Sequence, residues 1–443
     1  MKFKFKMVMI AMLLILNTIS SVNFASEYDI SASDLVAEGA VLINEESGQV
    51  LFDKNANLPL YPASTTKILT AIIILEDLSL DEVITIDNQS PYAGGSSIAL
   101  EPGEQLTVEQ LLYGLMITSA NDAAEALAIY HSGSIEAFAE VMNERAAEMG
   151  AINSNFVTPH GLPNDDHITT AYDLAMIARY AMQNEMFRKI VTTKRYEIPP
   201  TNLKKDTRYL NSTNSFYQGI EGSNELITIR GKQVPIAYEY VVGIKRGYTD
   251  EAMNCLVTSA EKDDKAYIAV VLKSNGNAMY QDTRLLLDLG LFGLSTHVLN
   301  QKEEVIETLQ INNKKETKIP LYPEHEVVID LESDIDPTSL VKKVNINSSI
   351  ELPVLKGEVL GSIGYYLNDE LLVSVPLISS DDFDGEDLLN DITNMIFINS
   401  RPLFSKAWFF NLLTRLLIAL LLWRTIVTTL RVQRLRRRKT ARS

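Results

Sequence analysis

In the stretch "PASTTKILTA", Ser64 stands three residues before Lys67 at the opening of an apolar helical pattern. Residues three apart share a helix face, so the Lys67 amine can reach the Ser64 hydroxyl, and burial there favours the neutral amine, which can take a proton. Such a pair is an activated nucleophile that needs no histidine. A second stretch, "MITSANDAAEALA", sets Ser119 and Asn121 after an apolar run. The Ser119 hydroxyl can relay a proton, and the Asn121 amide can donate to a carbonyl while accepting from Lys67. The bland reading makes either residue a simple helix cap. In a third stretch, "VVGIKRGYTDEAM", a strand-like run ends in Lys245, Arg246 and Gly247, followed by Tyr248. Two adjacent cations at a strand end suit an anion, or else a solvated turn.

Each pattern is weak by itself. Ser-x-x-Lys recurs at Ser259 and Lys262 in "SAEKDDK", and Ser-x-Asn recurs at Ser212 and Asn214. Context separates the copies, because Lys262 falls in a charged turn that keeps it hydrated and Asn214 falls in an irregular loop. Three patterns in order, two at helix openings and one at a strand end, make a stronger constellation. Other chemistries find little support. His131, His160, His167, His297 and His325 lack paired ligand spacing and read as surface or loop residues, so no metal site is expected. No Gly-rich phosphate loop follows a strand, and no cofactor is implied. The single cysteine, Cys255, sits in an apolar run and reads as a buried structural thiol.

The elements that must carry these residues follow from periodicity. Two apolar runs around Ser47 and Gly48 read as a hairpin, and residues 65 to 78 turn helical. A helical stretch from 107 to 149 breaks near Ser119 and Gly133, and another helix opens at Thr170, a candidate N-cap with Asp173 three residues on. Residues 197 to 235 read as irregular. Strands return at 238 to 245, 253 to 259 and 267 to 273, followed by a helix through 284 to 292. A strand pair, a helical middle and antiparallel strands with a closing helix make one α+β unit whose sheet joins both ends of the segment. From about residue 300, short alternating strands with a turn at Lys356 and Gly357 read as a small all-β domain.

The net charge of -17 hides two basic ends. Residues 1 to 26 hold three lysines and residues 401 to 443 hold eleven lysines or arginines, neither with an acid, so the middle carries all 57 acids against 26 bases. An acidic body of this kind is not expected to bind nucleic acid. Lys2, Lys4 and Lys6, a short apolar run and small residues up to Ala25 read as a secretory signal. Residues 407 to 430 are long enough to span a membrane, with Trp408 and Trp423 as interface anchors, although Arg415 and Arg424 also allow a helix lying in the interface. The expected organisation is a signal (1–26), a catalytic domain (27–297), a β-rich domain (298–378), an acidic linker (379–404) and a membrane-anchoring helix with a basic tail (405–443).

The three motifs, with "NSNFVTPHGLPNDDHITTAYDLAMIARYAM", "VVGIKRGYTDEAMNCLVTSA" and "LPVLKGEVLGSIGYYLNDELLVSVPLI", resemble the serine D-alanyl-D-alanine carboxypeptidases, the low-molecular-mass penicillin-binding proteins. The resemblance covers about residues 30 to 378. It implies a β-lactamase/transpeptidase-like catalytic domain, an antiparallel sheet with a helical subdomain, followed by the β domain and anchor. It implies that Ser64 attacks the carbonyl between two D-alanines of a peptidoglycan stem peptide, with Lys67 as base, Ser119 on the proton path and Asn121 holding the substrate amide. The Ser64 and Tyr248 amides would form the oxyanion hole, with Gly247 beside them, and Lys245 would meet the terminal carboxylate. β-Lactams would inhibit by acylating Ser64, and the protein would face outward from the bacterial cytoplasmic membrane.

The sequence departs from the family at two positions, with Arg246 where Thr or Ser is usual and Val242 where Asp is usual. Arginine can serve a carboxylate through a bidentate fork. It is also larger, and it must bend round if Lys245 faces the cleft, since successive strand residues face opposite ways. An active carboxypeptidase, a weakly active or inactive wall-peptide binder and a β-lactamase-like acyl hydrolase therefore all stay open.

Overall fold

The computed structural model describes residues 27–218, 225–311, 317–332, 334–383 and 414. The signal segment and almost all of the C-terminal anchor lie outside the described residues. Among the described residues, no helix is long and apolar enough to cross a membrane.

The three sequence motifs are organised by a five-stranded antiparallel sheet. Its strands are β1 (Gly39–Asn44), β2 (Val50–Lys54), β3 (Val241–Thr249), β4 (Met253–Lys262) and β5 (Lys265–Ser274), in the spatial order β2-β1-β5-β4-β3. The hairpin near Gly48 is β1 and β2, so both ends of the segment do meet in one sheet. β5 reads as an unbroken apolar run because it is buried on both faces. Ile268, Val270 and Leu272 join one core while Tyr267, Ala269 and Val271 join the other.

Helices cover the first of these faces. They are α1 (Lys67–Asp77), α2 (Val108–Ile117), α3 (Asn121–Ser132), α4 (Ile135–Glu148), α5 (Ala171–Met182) and α6 (Glu185–Thr192). The expected breaks near Ser119 and Gly133 are the α2–α3 and α3–α4 junctions. α1 is apolar all round, with Ile68, Leu69, Ile72, Ile73 and Ile74 all fully buried, which marks it as the central helix rather than a surface one. α7 (Ala278–Asp288) covers the second face, earlier than the expected start, and runs into a π turn at Leu289–Gly293.

The segment read as irregular contains two small hairpins, Arg195–Ile198 with Arg208–Asn211 and Leu226–Ile229 with Lys232–Pro235. Each strand is only four residues long, too short for a period-two pattern to stand out among polar neighbours.

α5 is capped as its sequence indicates. Thr170 Oγ1 accepts from the Asp173 amide at 3.0 Å. The Asp173 carboxylate instead takes the Asn153 amide and the Ser154 hydroxyl, both at 2.7 Å, which ties the preceding loop to the helix. Thr170→Ala should cost about 1 kcal/mol of stability in a denaturant midpoint measurement.

The described residues divide into two compact units, one formed by residues from 27 to 304 with 323–345 and 361–376, the other by 305–322, 346–360 and 377–383. In the first, Leu294–Asn300 pairs antiparallel with Val327–Glu332. In the second, Glu307–Ile311 pairs with Thr317–Pro323, Glu307 lying opposite Leu321. Between residues 300 and 383 the elements among the described residues are strands and a single 3-10 turn, Pro337–Ser339, so this part of the chain is all-β.

Candidate active site

Ser64 lies in a 3-10 turn, Ala63–Thr66, that feeds directly into α1 at Lys67. The nucleophile candidate is therefore at the mouth of the most deeply buried helix, half exposed itself, with Lys67 fully buried behind it. Lys67 Nζ is 2.9 Å from Ser64 Oγ, 2.6 Å from Asn121 Oδ1 and 2.8 Å from the His160 carbonyl oxygen. Two of these partners are pure acceptors and the third is a hydroxyl. A neutral amine offers two N–H donors and one lone pair, so it satisfies both acceptors and still receives the Ser64 proton. Burial, and then the charge of Lys245, hold the Lys67 amine well below the usual lysine value, against the opposing pull of Asp122. Geometry and electrostatics both favour the form that acts as a base.

Asn121 opens α3 and is nearly buried. Its Oδ1 is taken by Lys67, and one Nδ2 hydrogen is donated to the Gly94 carbonyl at 2.5 Å, which leaves a second hydrogen for a ligand. Ser119, two residues earlier, has a left-handed backbone with φ +63° and is 8% exposed. Its hydroxyl makes no hydrogen bond among the described residues. Non-glycine residues are held in such a conformation only when their surroundings determine it, and they concentrate at functional sites.

Lys245 and its neighbours lie on edge strand β3. Lys245 is 3% exposed, donates to the Arg246 carbonyl at 2.9 Å, and is brought down to about 7 by burial and then by the Arg246 charge. It lies opposite Val257, a member of the core that α1 fills, which places it on the same side of the sheet as α1. Gly247 lies against the nucleophile turn, since a Cβ there would come within 2.9 Å of the Ser64 nitrogen. Tyr248 is 55% exposed, with its hydroxyl on Asp250 at 2.9 Å, so its ring stands at the rim.

Arg246 differs from its neighbours. It pairs with Leu256, which belongs to the core on the other face, whereas Lys245 and Gly247 pair with Val257 and Cys255 of the α1 face. Strand alternation therefore sends the arginine away from Lys245. Its Nε is buried without a hydrogen-bond partner. Cys255, opposite Gly247, is a buried thiol pushed up to about 12.

The second copies of the motifs are structural. Ser259 is on a strand, where a three-residue spacing puts partners on opposite faces, and its hydroxyl donates to Glu45 at 2.6 Å. Lys262 pairs with Asp263 at 2.6 Å. Asn214 Oδ1 accepts from the Phe216 amide in a local turn.

Several residues of the site carry no signal that sequence reasoning used. His160 and His167, read as surface or loop residues, do lie in a loop but are not at the surface, being 4% and 1% exposed. His167 Nδ1 accepts from the Val157 and Thr158 amides, so Nε2 bears the proton and donates to Thr66 Oγ1 at 2.9 Å, and burial brings the pKa of the ring down to about 4, which leaves it neutral near pH 7. Asp122 takes the Ser97 hydroxyl and the Ile98 and Leu100 amides, which anchors the loop that also supplies Gly94 to Asn121. Among the described residues, no group of histidine, cysteine and carboxylate side chains could hold a metal ion.

Residues 26–276 match the D-alanyl-D-alanine carboxypeptidase family, and residues 295–384 match the C-terminal domain of penicillin-binding protein 5. The chain is 32% identical over 352 residues to a D-alanyl-D-alanine carboxypeptidase of Bacillus subtilis, covering 78% of this chain and 85% of that protein. Penicillin-binding protein 5 of Haemophilus influenzae shares its fold, with a TM-score of 0.63 and 23% identity over 81% of this chain and all of the other. A Streptomyces K15 DD-transpeptidase superposes with a TM-score of 0.51 at 31% identity, over 58% of this chain and 98% of the other.

Proposed function

The chain belongs to the D-alanyl-D-alanine carboxypeptidase family, and from that premise we propose that it is a serine enzyme that removes the terminal D-alanine of peptidoglycan stem pentapeptides. The observation that carries this reading is the Lys67 amine, buried, disfavoured as a cation, and hydrogen-bonded at once to Ser64, Asn121 and the His160 carbonyl.

In this mechanism the Ser64 oxygen bonds to the carbonyl carbon of the penultimate D-alanine while its proton passes to Lys67. Positioned proton transfer of this kind contributes roughly 10²- to 10⁴-fold. The Ser64 and Tyr248 amides receive the developing oxyanion, each donor worth on the order of 10²- to 10³-fold. The C–N bond then breaks, and D-alanine leaves with a proton delivered from Lys67 by way of Ser119. Water, deprotonated by the same amine, hydrolyses the ester and frees the shortened peptide. Penicillin enters by the same acylation and stays on Ser64. The test is to supply the full chain with a stem pentapeptide and with a fluorescent penicillin. D-alanine release with persistent labelling supports the reading, rapid penicillin turnover without peptide cleavage favours a β-lactamase-like hydrolase, and absence of both sinks it.

Lys245 supplies positive potential for the terminal carboxylate, and Arg246, on the other face of β3, acts on it through its field. Lys245 must carry its proton to bind and Lys67 must lack one to react, so kcat/KM should fall on both sides of an optimum, with the alkaline limb beginning near the Lys245 value of about 7. Arg246→Gln removes a repelling charge and lets Lys245 keep its proton to higher pH. The alkaline limb should move upward while kcat/KM at pH 6.5 stays within about tenfold of the unaltered protein. A loss of a hundredfold or more, ~2.7 kcal/mol of transition-state binding, would mean instead that Arg246 holds the carboxylate directly.

The basic, apolar N-terminus and the tryptophan-flanked apolar stretch near residues 407 to 430, followed by Arg436, Arg437, Arg438 and Lys439, support export and retention on the outer face of the cytoplasmic membrane. Residues 27–297 would form the catalytic domain and 298–378 the β domain. Fractionation of cells expressing the full chain and a chain ending at residue 404 tests the anchor, since the truncated form should leave the membrane.

A further inference from the structure

The turn that carries Ser64 is strained. Ala63, buried just before it, has φ +48°, a left-handed backbone that a non-glycine residue keeps only where its surroundings impose it. Two threonines of the turn take its carbonyls, Thr65 Oγ1 donating to Pro62 at 2.7 Å and Thr66 Oγ1 to Ala63 at 2.9 Å. Thr66 is also tied across the fold, because its oxygen accepts from His167 Nε2, 101 positions along the chain. The direction of both bonds is fixed, since the single Thr66 hydroxyl proton goes to Ala63 and the single imidazole proton is on Nε2.

The same ring reaches the surroundings of the base. Its Nδ1 holds the Val157 and Thr158 amides at 3.0 and 3.2 Å, and the next two residues of that loop give the Pro159 carbonyl to Thr70 at 2.6 Å and the His160 carbonyl to Lys67 at 2.8 Å. One imidazole therefore links the turn of the nucleophile to the loop that supplies an acceptor for the lysine. Thr66 and His167 are both buried, and the Phe156 ring meets the imidazole edge to face, with centroids 5.6 Å apart at 83°. A ring held at both nitrogens and against an aromatic face fixes where the turn sits.

We propose that His167 is a positioning residue for acylation, which acts through the Thr66 hydroxyl to hold the strained Ala63–Ser64 turn in register with Lys67. The inference rests on the reading of Ser64 as the nucleophile. The imidazole touches neither substrate nor the reacting atoms. Its N–H keeps the Thr66 hydroxyl aimed at the Ala63 carbonyl, and without it the turn relaxes and the Ser64 oxygen leaves its place against the amine.

Stopped-flow labelling of the full chain with a fluorescent penicillin tests it, because the saturating rate reports acylation and the half-saturating concentration reports binding. His167→Asn keeps an acceptor for the two amides but is too short to donate to Thr66, whereas His167→Gln reaches Thr66 with an N–H and leaves the amides unpaired. His167→Asn should acylate about 10²-fold more slowly at saturation, the loss expected of a misplacement of about 1 Å, with its half-saturating concentration little changed. His167→Gln should melt at a lower temperature yet recover most of the rate below its midpoint. A residue that merely supports the fold would instead slow the two variants in the order of their melting temperatures. Thr66→Val should match His167→Asn, Thr66→Ser should recover most of the rate, and Thr66→Val with His167→Asn should be no slower than either alone, since the two act as one unit. The Thr66 pair decides the matter if the His167 variants do not fold. Rates that track melting temperature, a His167→Asn rate within about threefold of normal, or losses that multiply in the double variant overturn the role. Labelling of the unaltered chain without release of D-alanine from a pentapeptide sinks the carboxypeptidase reading alone, because labelling reports only on Ser64, whereas a chain that takes no label overturns the positioning role as well.

Discussion

Lys67→Ala should slow acylation of Ser64 by a fluorescent penicillin by about 10²- to 10⁴-fold, the range expected for loss of a positioned base. The full size of the effect follows from how completely the site is built around this amine. Its three partners lie within 2.6 to 2.9 Å, and no histidine side chain is hydrogen-bonded to Ser64 among the described residues. Removal leaves the Ser64 proton without an acceptor and the Asn121 and His160 oxygens without a donor. Lys67→Arg separates base from charge. Arginine keeps the cation but does not lose its proton in proteins, so it should be as slow as alanine if the amine works as a base. Near-normal labelling in Lys67→Arg would show that a cation suffices. Ser64→Ala, with no nucleophile, should give no covalent label at all, and a label within tenfold of normal in Lys67→Ala would overturn the assignment.

Gly161→Ala should unfold more easily by about 3 kcal/mol or more and lose penicillin labelling in the fraction that folds. The residue has φ +84°, and an added Cβ would sit 1.8 Å from the Ala63 carbonyl oxygen and 2.5 Å from the carbonyl carbon. The left-handed conformation alone costs a non-glycine residue about 1 to 2 kcal/mol, and overpacking adds about 1 to 3. Backbone cannot rotate away as a side chain can, so the turn carrying Ser64 must move. For a domain of this size the expected fall in midpoint is about 6 to 12 °C by thermal unfolding. Gly103→Ala is the control, because Gly103 has φ +83° but open space around its Cβ. It should show the backbone cost alone and keep its label. Equal losses in the two variants would mean that the contact with Ala63 does not position the nucleophile.

Much of this architecture is legible in the sequence because it is local. The helix breaks near Ser119 and Gly133, the Thr170 cap, the hairpin at Gly48 and the strands β3 to β5 all follow from periodicity or turn chemistry within a few residues. The misses have physical causes too. The hairpins between 195 and 235 are too short for a pattern. α7 begins at Ala278, six residues before the apolar repeat shows itself, because the polar run Gln281, Asp282, Thr283 and Arg284 separates Met279 and Tyr280 from the leucines that follow. His160 and His167 read as loop residues and do lie in a loop, but one that is packed under the nucleophile turn, and burial of a loop by distant elements leaves no periodic trace.

The sequence by itself determined which groups share a turn: Ser64 with Lys67 across three residues of helix, Ser119 with Asn121 across a helix break, and Lys245 beside Arg246 with the alternation that sends their side chains apart. These relations are set by bond lengths and by the helix and strand repeats, whatever the rest of the chain does. Only the tertiary structure decided that the amine of Lys67 meets an asparagine 54 positions away and a carbonyl 93 positions away, that Gly161 and Gly247 are the close approaches that bring two separate segments to the Ser64 turn, and that Arg246 shares a face with Leu256 and not with the nucleophile. Those outcomes depend on how two cores pack against one sheet, and burial shifts the lysines only once that packing has excluded water from them.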